Sequence, residues 1–146
     1  MGGQHPAPTY EAVCRGDTGH AEVVQIEFDP ARIDFATLLV AFFAIHDPTT
    51  LNRQGHDTGT QYRSAIFVHD AGQRAEAQGL IARLGAEGVW PSPIVTEVVP
   101  ATTFFVAEPY HHQYFRRNPE QGYCQAVVAP KARKMRQLFA DRLKTG

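Results

Sequence analysis

The first strongly patterned stretch of the chain runs from Glu22 to Asp29, where apolar and polar residues alternate. Val24, Ile26 and Phe28 fall on one side of an extended chain, and mainly polar residues fall on the other. A period of two is typical of a β-strand with one buried face. The stretch is therefore predicted to be a strand that ends at Pro30.

Capping residues indicate two helix starts. Asp34 is placed to cap a helix that runs to about Ile45, since the apolar residues after it recur at helical spacing. Asp70 with Gln73 three positions later is the capping-box pattern, and it predicts a second helix that ends near Gly85. A long polar loop, HDPTTLNRQGHDTGTQY, separates the two predicted helices.

The remaining elements are short apolar runs bounded by glycine, proline or polar residues. They are predicted as strands at about 62–68, 94–99, 103–106 and 125–128 and as helices that begin at Pro109 and Pro130. Strands that alternate with helices are typical of a two-layer α/β domain. We therefore expect a single α/β domain across residues 1–146.

Composition narrows the class of protein. Of the 146 residues, 43% are hydrophobic and 20% are charged, which is ordinary for a globular domain with a sizeable core. The net charge of -1 argues against general attraction to nucleic acid or to an anionic membrane. No apolar run approaches the length of a membrane span. Neither nucleic acid nor membrane is therefore expected as a partner.

The two cysteines, Cys14 and Cys124, are too few to staple a domain of this size. We expect free thiols in a reducing compartment, the cytoplasm, with redox chemistry as the alternative. Cys124 stands in the polar stretch QGYCQ. A mobile thiol there would be reactive, and a buried one would be a small hydrophobe; the sequence leaves both interpretations open.

Glu22 is the first candidate for chemistry. It has the parity of the apolar side of its predicted strand, next to a Thr-Gly-His turn. A carboxylate among apolar neighbours loses hydration, so we expect the pKa of Glu22 to rise, and a carboxyl that keeps its proton at neutral pH can act as a general acid. The alternative is that Glu22 projects into solvent or caps nearby amides.

The stretch RQGHDTGTQYRS is the second candidate. Gly55 and Gly59 bracket Asp57, and Tyr62 follows where the chain enters a predicted strand. Polar groups on a glycine-shaped loop at a strand end are a common site architecture. The alternative is a turn in which Asp57 bonds to its own backbone.

Seven histidines raise the question of a metal site. Neither Cys-x-x-Cys nor His-Glu-x-x-His spacing occurs in the sequence. Because histidines bonded to loop backbone are commoner than metal ligands, we expect no metal ion.

The chain resembles the methionine sulfoxide reductase A family in four stretches, HPAPTYEAVCRGDTGHAEVV, HDPTTLNRQGHDTGTQYRSAIF, FVAEPYHHQYF and GYCQAVVAPK. Their order is the family's order, and the likeness extends to about Lys134. Thr-Gly-His-Ala-Glu followed by Gly-Thr-Gln-Tyr-Arg-Ser is the most specific part. The resemblance implies a two-layer sandwich in which helices pack on a mixed sheet with a ferredoxin-like plait core.

The resemblance also implies an activity, peptide-methionine (S)-S-oxide reduction, with methionine sulfoxide, free or in proteins, as substrate, thioredoxin as reductant and no cofactor. In such enzymes a cysteine thiolate attacks the sulfoxide sulfur while a glutamic acid protonates the oxygen, and a second cysteine converts the sulfenic acid to a disulfide. The site residues that the resemblance implies are the acid Glu22, the hydrogen-bonding partners Tyr10, Asp57 and Tyr62, and the resolving cysteine Cys124. Cys14 matches a family position without a catalytic part.

The family's attacking cysteine lies in a Gly-Cys-Phe-Trp-Gly segment, and these 146 residues contain no such segment. We therefore expect an N-terminally truncated domain, through a truncation or a misplaced start. The alternative is a genuine short product or a deliberately trimmed sequence. Such a chain would have little or no activity by itself. The alternative is a module that binds methionine sulfoxide without reducing it.

Overall fold

The computed structural model of the protein describes residues 1–142, which divide into two compact units, the first from Met1 to Val106 and the second from Ala107 onward. The elements of the first unit are the helices α1 (Tyr10–Arg15), α2 (Phe35–Ile45) and α3 (Ala71–Ala86) and the strands β1 (Arg53–Gln54), β2 (Asp57–Thr58), β3 (Ala65–Val68) and β4 (Glu97–Pro100). A 3-10 turn over Thr60–Tyr62 links β2 to β3. Helices and strands therefore alternate, and the predicted α/β class is confirmed.

The strands of the described residues pair two by two. β1 and β2 form an antiparallel hairpin around Gly55, whose φ of 59° suits a tight turn. β3 and β4 are parallel, with Val68 opposite Pro100, and α3 connects them. A helix between two paired parallel strands is the βαβ unit, and it is the framework on which the first unit is built.

The core of the first unit lies where α2 and α3 meet the parallel strands. Its buried residues are Leu39, Phe43, Ile66, Val68, Ala77 and Leu80, and Trp90 packs against Phe43 from the side. Burying one such large aliphatic or aromatic side chain stabilises the fold by roughly 1.5–3 kcal/mol. These contacts hold the βαβ unit together.

Both predicted helix caps are confirmed. The Asp34 carboxylate accepts a hydrogen bond from the Thr37 amide at 2.7 Å, and Asp70 accepts one from the Gln73 amide at 2.7 Å. The Gln73 side chain accepts in turn from the His69 amide at 2.9 Å. Each bond satisfies an amide that the first helical turn leaves without a partner.

The predicted strand over Glu22–Asp29 is wrong, because the structure has no strand there. Val24 is 84% exposed and Ile26 is 56% exposed, so the apolar side of the pattern is not buried. An alternating sequence forms a strand only where a neighbouring strand supplies hydrogen bonds, and no strand of residues 1–142 pairs with this segment.

The other predicted strands of the first unit fare differently. Those at about 62–68 and 94–99 are confirmed in part, as β3 and β4. The short strand predicted at 103–106 is wrong. A further element, α1, was not predicted, although Thr9 caps it and Gly16, with φ of 78°, ends it.

The second unit, within its described residues, is helical. It consists of a 3-10 turn (Pro109–His111), α4 (Tyr114–Arg117), a π-helical turn (Cys124–Val128), α5 (Ala129–Leu138) and a final 3-10 turn (Ala140–Arg142). The strand predicted at 125–128 is wrong, because a short apolar run is equally compatible with a strand and with a buried helix. Pro130 is tolerated in the first turn of α5, as predicted.

Candidate functional site

Helix α1 places Tyr10 and Cys14 one turn apart, four residues along the same face. A hydrogen bond with the Cys14 thiol, followed by electrostatic repulsion from that group, raises the pKa of Tyr10 to about 12. Burial and the charges of Glu22 and Tyr62 act in the same direction. The Tyr10 hydroxyl therefore keeps its proton well beyond neutral pH and can donate it in a hydrogen bond.

Glu22 follows a short backbone pairing between the chain start and Ala21. The Ala21 amide donates to the Met1 carbonyl at 2.9 Å, and the Met1 amino group donates to the Ala21 carbonyl at 3.1 Å. The Glu22 amide donates to the Gln61 carbonyl at 2.8 Å. The Glu22 residue itself is exposed, so the expectation that apolar neighbours surround its carboxyl is wrong.

Asp57 and Tyr62 belong to the hairpin and the 3-10 turn that follows it. Asp57 lies in β2, opposite Gln54, and not in the turn of the hairpin. Burial raises the pKa of Tyr62, and the charges of Glu22, Cys14 and Asp57 raise it further, whereas a side-chain hydrogen bond with Gln61 acts in the opposite direction and is the smallest of these effects. Like that of Tyr10, the Tyr62 hydroxyl remains a hydrogen-bond donor at neutral pH.

These interactions bring four of the predicted site residues together. Tyr10 and Tyr62 each interact electrostatically with Glu22 and with Cys14, and Tyr62 also interacts with Asp57. We call Tyr10, Glu22, Asp57 and Tyr62 the tyrosine–carboxylate cluster. Two phenol hydroxyls beside two carboxyl groups can donate hydrogen bonds, and a proton, to an acceptor oxygen.

Cys14 is a neighbour of the cluster, although nothing in its sequence surroundings indicates this position. It is exposed, and it is one of two free cysteines. The spacing of four residues from Tyr10 is the signal that could have found it, but that signal has meaning only once α1 is recognised as a helix.

Cys124 lies in the second unit, at the start of the π-helical turn, and is 1% exposed. Of the two interpretations left open by the sequence, the buried thiol is therefore confirmed and the mobile one is wrong. Its assignment as a resolving cysteine stays a prediction.

Two histidines of the first unit have structural contacts. The buried His20 ring accepts a hydrogen bond from the Gly3 amide at 3.0 Å and donates to the His5 carbonyl at 2.8 Å. The His46 ring bridges the Phe42 carbonyl, at 2.6 Å, and the Ser64 hydroxyl, at 2.8 Å. Among residues 1–142 there is no group of three or more His, Cys, Asp or Glu side chains that could hold a metal ion. No helix of that part is long and apolar enough to span a membrane.

Comparison with known proteins agrees with this fold. The family model of peptide methionine sulfoxide reductase matches residues 1–143. The chain is 54% identical to peptide methionine sulfoxide reductase MsrA of Deinococcus radiodurans, over 99% of this chain and 70% of that protein. It is 56% identical to the MsrA of Chromobacterium violaceum, over 97% of this chain and 81% of that protein.

Solved structures give the same result. Reduced Mxr1 from Saccharomyces cerevisiae superposes with a TM-score of 0.76 at 39% identity, covering 84% of this chain and 67% of that one. Methionine sulfoxide reductase A of Corynebacterium diphtheriae superposes with a TM-score of 0.70 at 38% identity, covering 83% of this chain and 62% of that one.

The fold and these similarities thus define an α/β oxidoreductase of the sulfoxide-reducing class. The chain belongs to the peptide methionine sulfoxide reductase family. The family predicted from the resemblance is confirmed, and so is its enzyme class, peptide-methionine (S)-S-oxide reductase.

Proposed function

We propose that the tyrosine–carboxylate cluster binds the oxygen of methionine-S-sulfoxide, free or in a protein, and protonates it during reduction. The convergence of Tyr10 and Tyr62 on Glu22 carries this proposal. A sulfoxide oxygen can only accept hydrogen bonds, so a site for it needs several donors on one side. Two phenols that keep their protons supply such donors, and the Glu22 carboxyl adds one when it is protonated.

In the proposed reaction Glu22 gives the proton. A thiolate sulfur attacks the sulfoxide sulfur, the oxygen takes up the Glu22 proton and ends on the enzyme sulfur as a sulfenic acid, and methionine leaves. The thiol is oxidised by two electrons and the sulfoxide is reduced by two. Tyr10, Tyr62 and Asp57 orient the oxygen. The attacking thiol is that of the family's Gly-Cys-Phe-Trp-Gly segment, which these 146 residues do not contain.

Cys124 is proposed to resolve the sulfenic acid. Its thiol would displace water to form a disulfide, and the dithiol of thioredoxin would then reduce that disulfide. Because Cys124 is 1% exposed, the π-helical turn over Cys124–Val128 must open before this exchange. Free thiols fit a reducing compartment, so we propose the cytoplasm as the location.

Binding of the free amino acid tests the proposed role of the cluster. Calorimetric titration of this chain should show that methionine-S-sulfoxide binds more tightly than its R epimer or methionine. Glu22→Gln and Tyr62→Phe should each weaken binding of the S epimer by about tenfold, the effect of one lost hydrogen bond. Gln78→Ala, an exposed change on α3, is the control. Equal affinity for sulfoxide and methionine would contradict the proposal.

Turnover tests the assignment of the attacking thiol. In a thioredoxin-coupled assay this chain should reduce methionine-S-sulfoxide slowly or not at all, even where it binds it. Rapid turnover that Cys14→Ser or Cys124→Ser abolishes would show that a thiol of these residues attacks the sulfoxide, and the proposed roles would be wrong.

A further inference from the structure

Gln61 is a buried polar residue to which the proposed chemistry gives no part. It is 4% exposed and occupies the middle of the 3-10 turn Thr60–Tyr62. A buried amide is retained at a cost unless its hydrogen bonds are made. Its partners therefore show what the residue does.

Three elements of the cluster meet at Gln61. Its side-chain Nε2 donates to the Cys14 carbonyl at 3.0 Å, which fastens the last turn of α1. Its backbone carbonyl accepts from the Glu22 amide at 2.8 Å. Tyr62 is the next residue in the chain, and its side chain is hydrogen-bonded with that of Gln61. One residue therefore joins the helix of Tyr10, the backbone of Glu22 and the turn of Tyr62.

The Gln61 amide lies in a slot left open by two glycines. A Cβ atom at Gly59 would overlap its Oε1 atom, and one at Gly16 would lie 3.3 Å from the same atom. Packing therefore holds the Gln61 amide in the orientation in which Nε2 faces Cys14. Within residues 1–142, Oε1 is buried and accepts no hydrogen bond.

We propose that Gln61 is the positioning residue of the tyrosine–carboxylate cluster, which it assembles by holding α1 and Glu22 to the turn that carries Tyr62. Its meaning for catalysis rests on the proposed function, but the positioning itself does not. Gln61 touches no reacting atom in this scheme. It sets the separation between the Tyr10 hydroxyl and the Glu22 carboxylate.

A double-mutant cycle on the Tyr10 ionisation tests this inference. The Glu22 charge helps to raise the pKa of Tyr10 to about 12, so Glu22→Gln should lower that pKa in the otherwise unchanged chain. In Gln61→Met, which is similar in length but has no donor, Glu22→Gln should no longer shift it. Tyrosine ring carbon shifts in an NMR pH titration report the ionisation, and Tyr10→Phe assigns the signal.

Gln54→Met is the matched control. Like Gln61, Gln54 binds backbone groups through its side chain: it accepts from the Asp47 amide and donates to the Asp47 carbonyl, both at 3.1 Å. Its side chain binds none of the three cluster elements. This variant should keep the full effect of Glu22→Gln on Tyr10. If Gln61→Met and Gln54→Met both abolished the coupling, a general loss of rigidity in the fold would be the cause, and the inference would be overturned.

Gly59→Ala is the second variant. Its methyl group would overlap the Gln61 amide, and the φ of 144° at this position adds backbone strain in the turn that carries Gln61. It should weaken the Tyr10–Glu22 coupling as Gln61→Met does. Intact coupling in either folded variant overturns the inference. If Gln61→Met and Gly59→Ala both unfold while Gln54→Met stays folded, the inference is also overturned, since Gln61 would then be a structural residue only. Lost coupling in a chain that does not bind methionine-S-sulfoxide would refute the proposed function and leave the positioning role standing.

Discussion

Cys14 has apolar neighbours in the sequence but is exposed, whereas Cys124 has polar neighbours but is buried. Cys14 follows an alanine and a valine, yet it is exposed on α1 beside Tyr10. Cys124 stands among glycine, tyrosine and glutamines, yet it is 1% exposed. Helical geometry explains both, because on a helix the residues three and four positions away decide which face a side chain shares. A thiol's chemistry therefore follows from its helix face, and not from its flanking residues.

Thiol labelling should separate the two regions most strongly. Cys14 should react with iodoacetamide in the native chain, whereas Cys124 must wait for the π-helical turn to open. If that opening costs about 3 kcal/mol, Cys124 reacts about 100-fold more slowly. Peptide mapping by mass spectrometry measures both rates, and in urea they should become similar. Equal labelling rates of Cys14 and Cys124 in the native chain would contradict the difference in their burial.

Replacing each thiol by a hydroxyl should affect stability unequally. Cys124→Ser buries a hydroxyl in a site that holds a small apolar group, at a cost of about 1–3 kcal/mol when no partner is at hand. Cys14→Ser changes an exposed position and should alter the free energy of unfolding by less than about 0.5 kcal/mol. Urea unfolding followed by circular dichroism measures both. A larger loss at Cys14 would reverse the comparison.

The smallest expected effect is a loss of stability at high pH that depends on Cys14 and not on Cys124. The pKa of Tyr10 is raised from 10.0 to about 12 in the folded chain, so the folded state favours the protonated phenol. The stability from this shift is fully present below pH 10.0 and is lost as the pH rises to about 12. Cys14→Ala removes the largest cause of the shift and should flatten this loss.

Thermal melts over that pH range measure the effect, with Cys124→Ala as the matched control. Cys124 does not contribute to the raised pKa of Tyr10, so the control should lose stability with pH as the unchanged chain does. A Cys14→Ala chain with an unchanged pH profile would show that the hydrogen bond between Tyr10 and Cys14 is absent in solution.

Local features of the fold could be predicted from the sequence. The caps at Asp34 and Asp70 were confirmed because a cap bonds to an amide only three residues away. The strand over Glu22–Asp29 was wrong because strand formation depends on a second strand, and alternation alone does not supply one. The run at 125–128 was wrong because a short apolar segment suits a strand or a helix equally.

The candidate site shows the same division. The resemblance in motif order implied Tyr10, Glu22, Asp57 and Tyr62 as site residues, whose roles stay predictions, and the family that it indicates is confirmed. The apolar setting expected for Glu22 was wrong, since it was inferred from a strand that does not form. Gln61 could not be assigned its place, because its partners are 47 and 39 positions away along the chain.

The sequence alone therefore determined which chemical groups this protein has and which family it belongs to, since both are written in residue identity and order. Tertiary structure alone decided that α1, Glu22 and the turn of Tyr62 meet at one buried amide, and that Cys14 is exposed while Cys124 is buried. The physical reason is that burial and long-range hydrogen bonds depend on the partners that folding brings together, and these lie far apart in the chain.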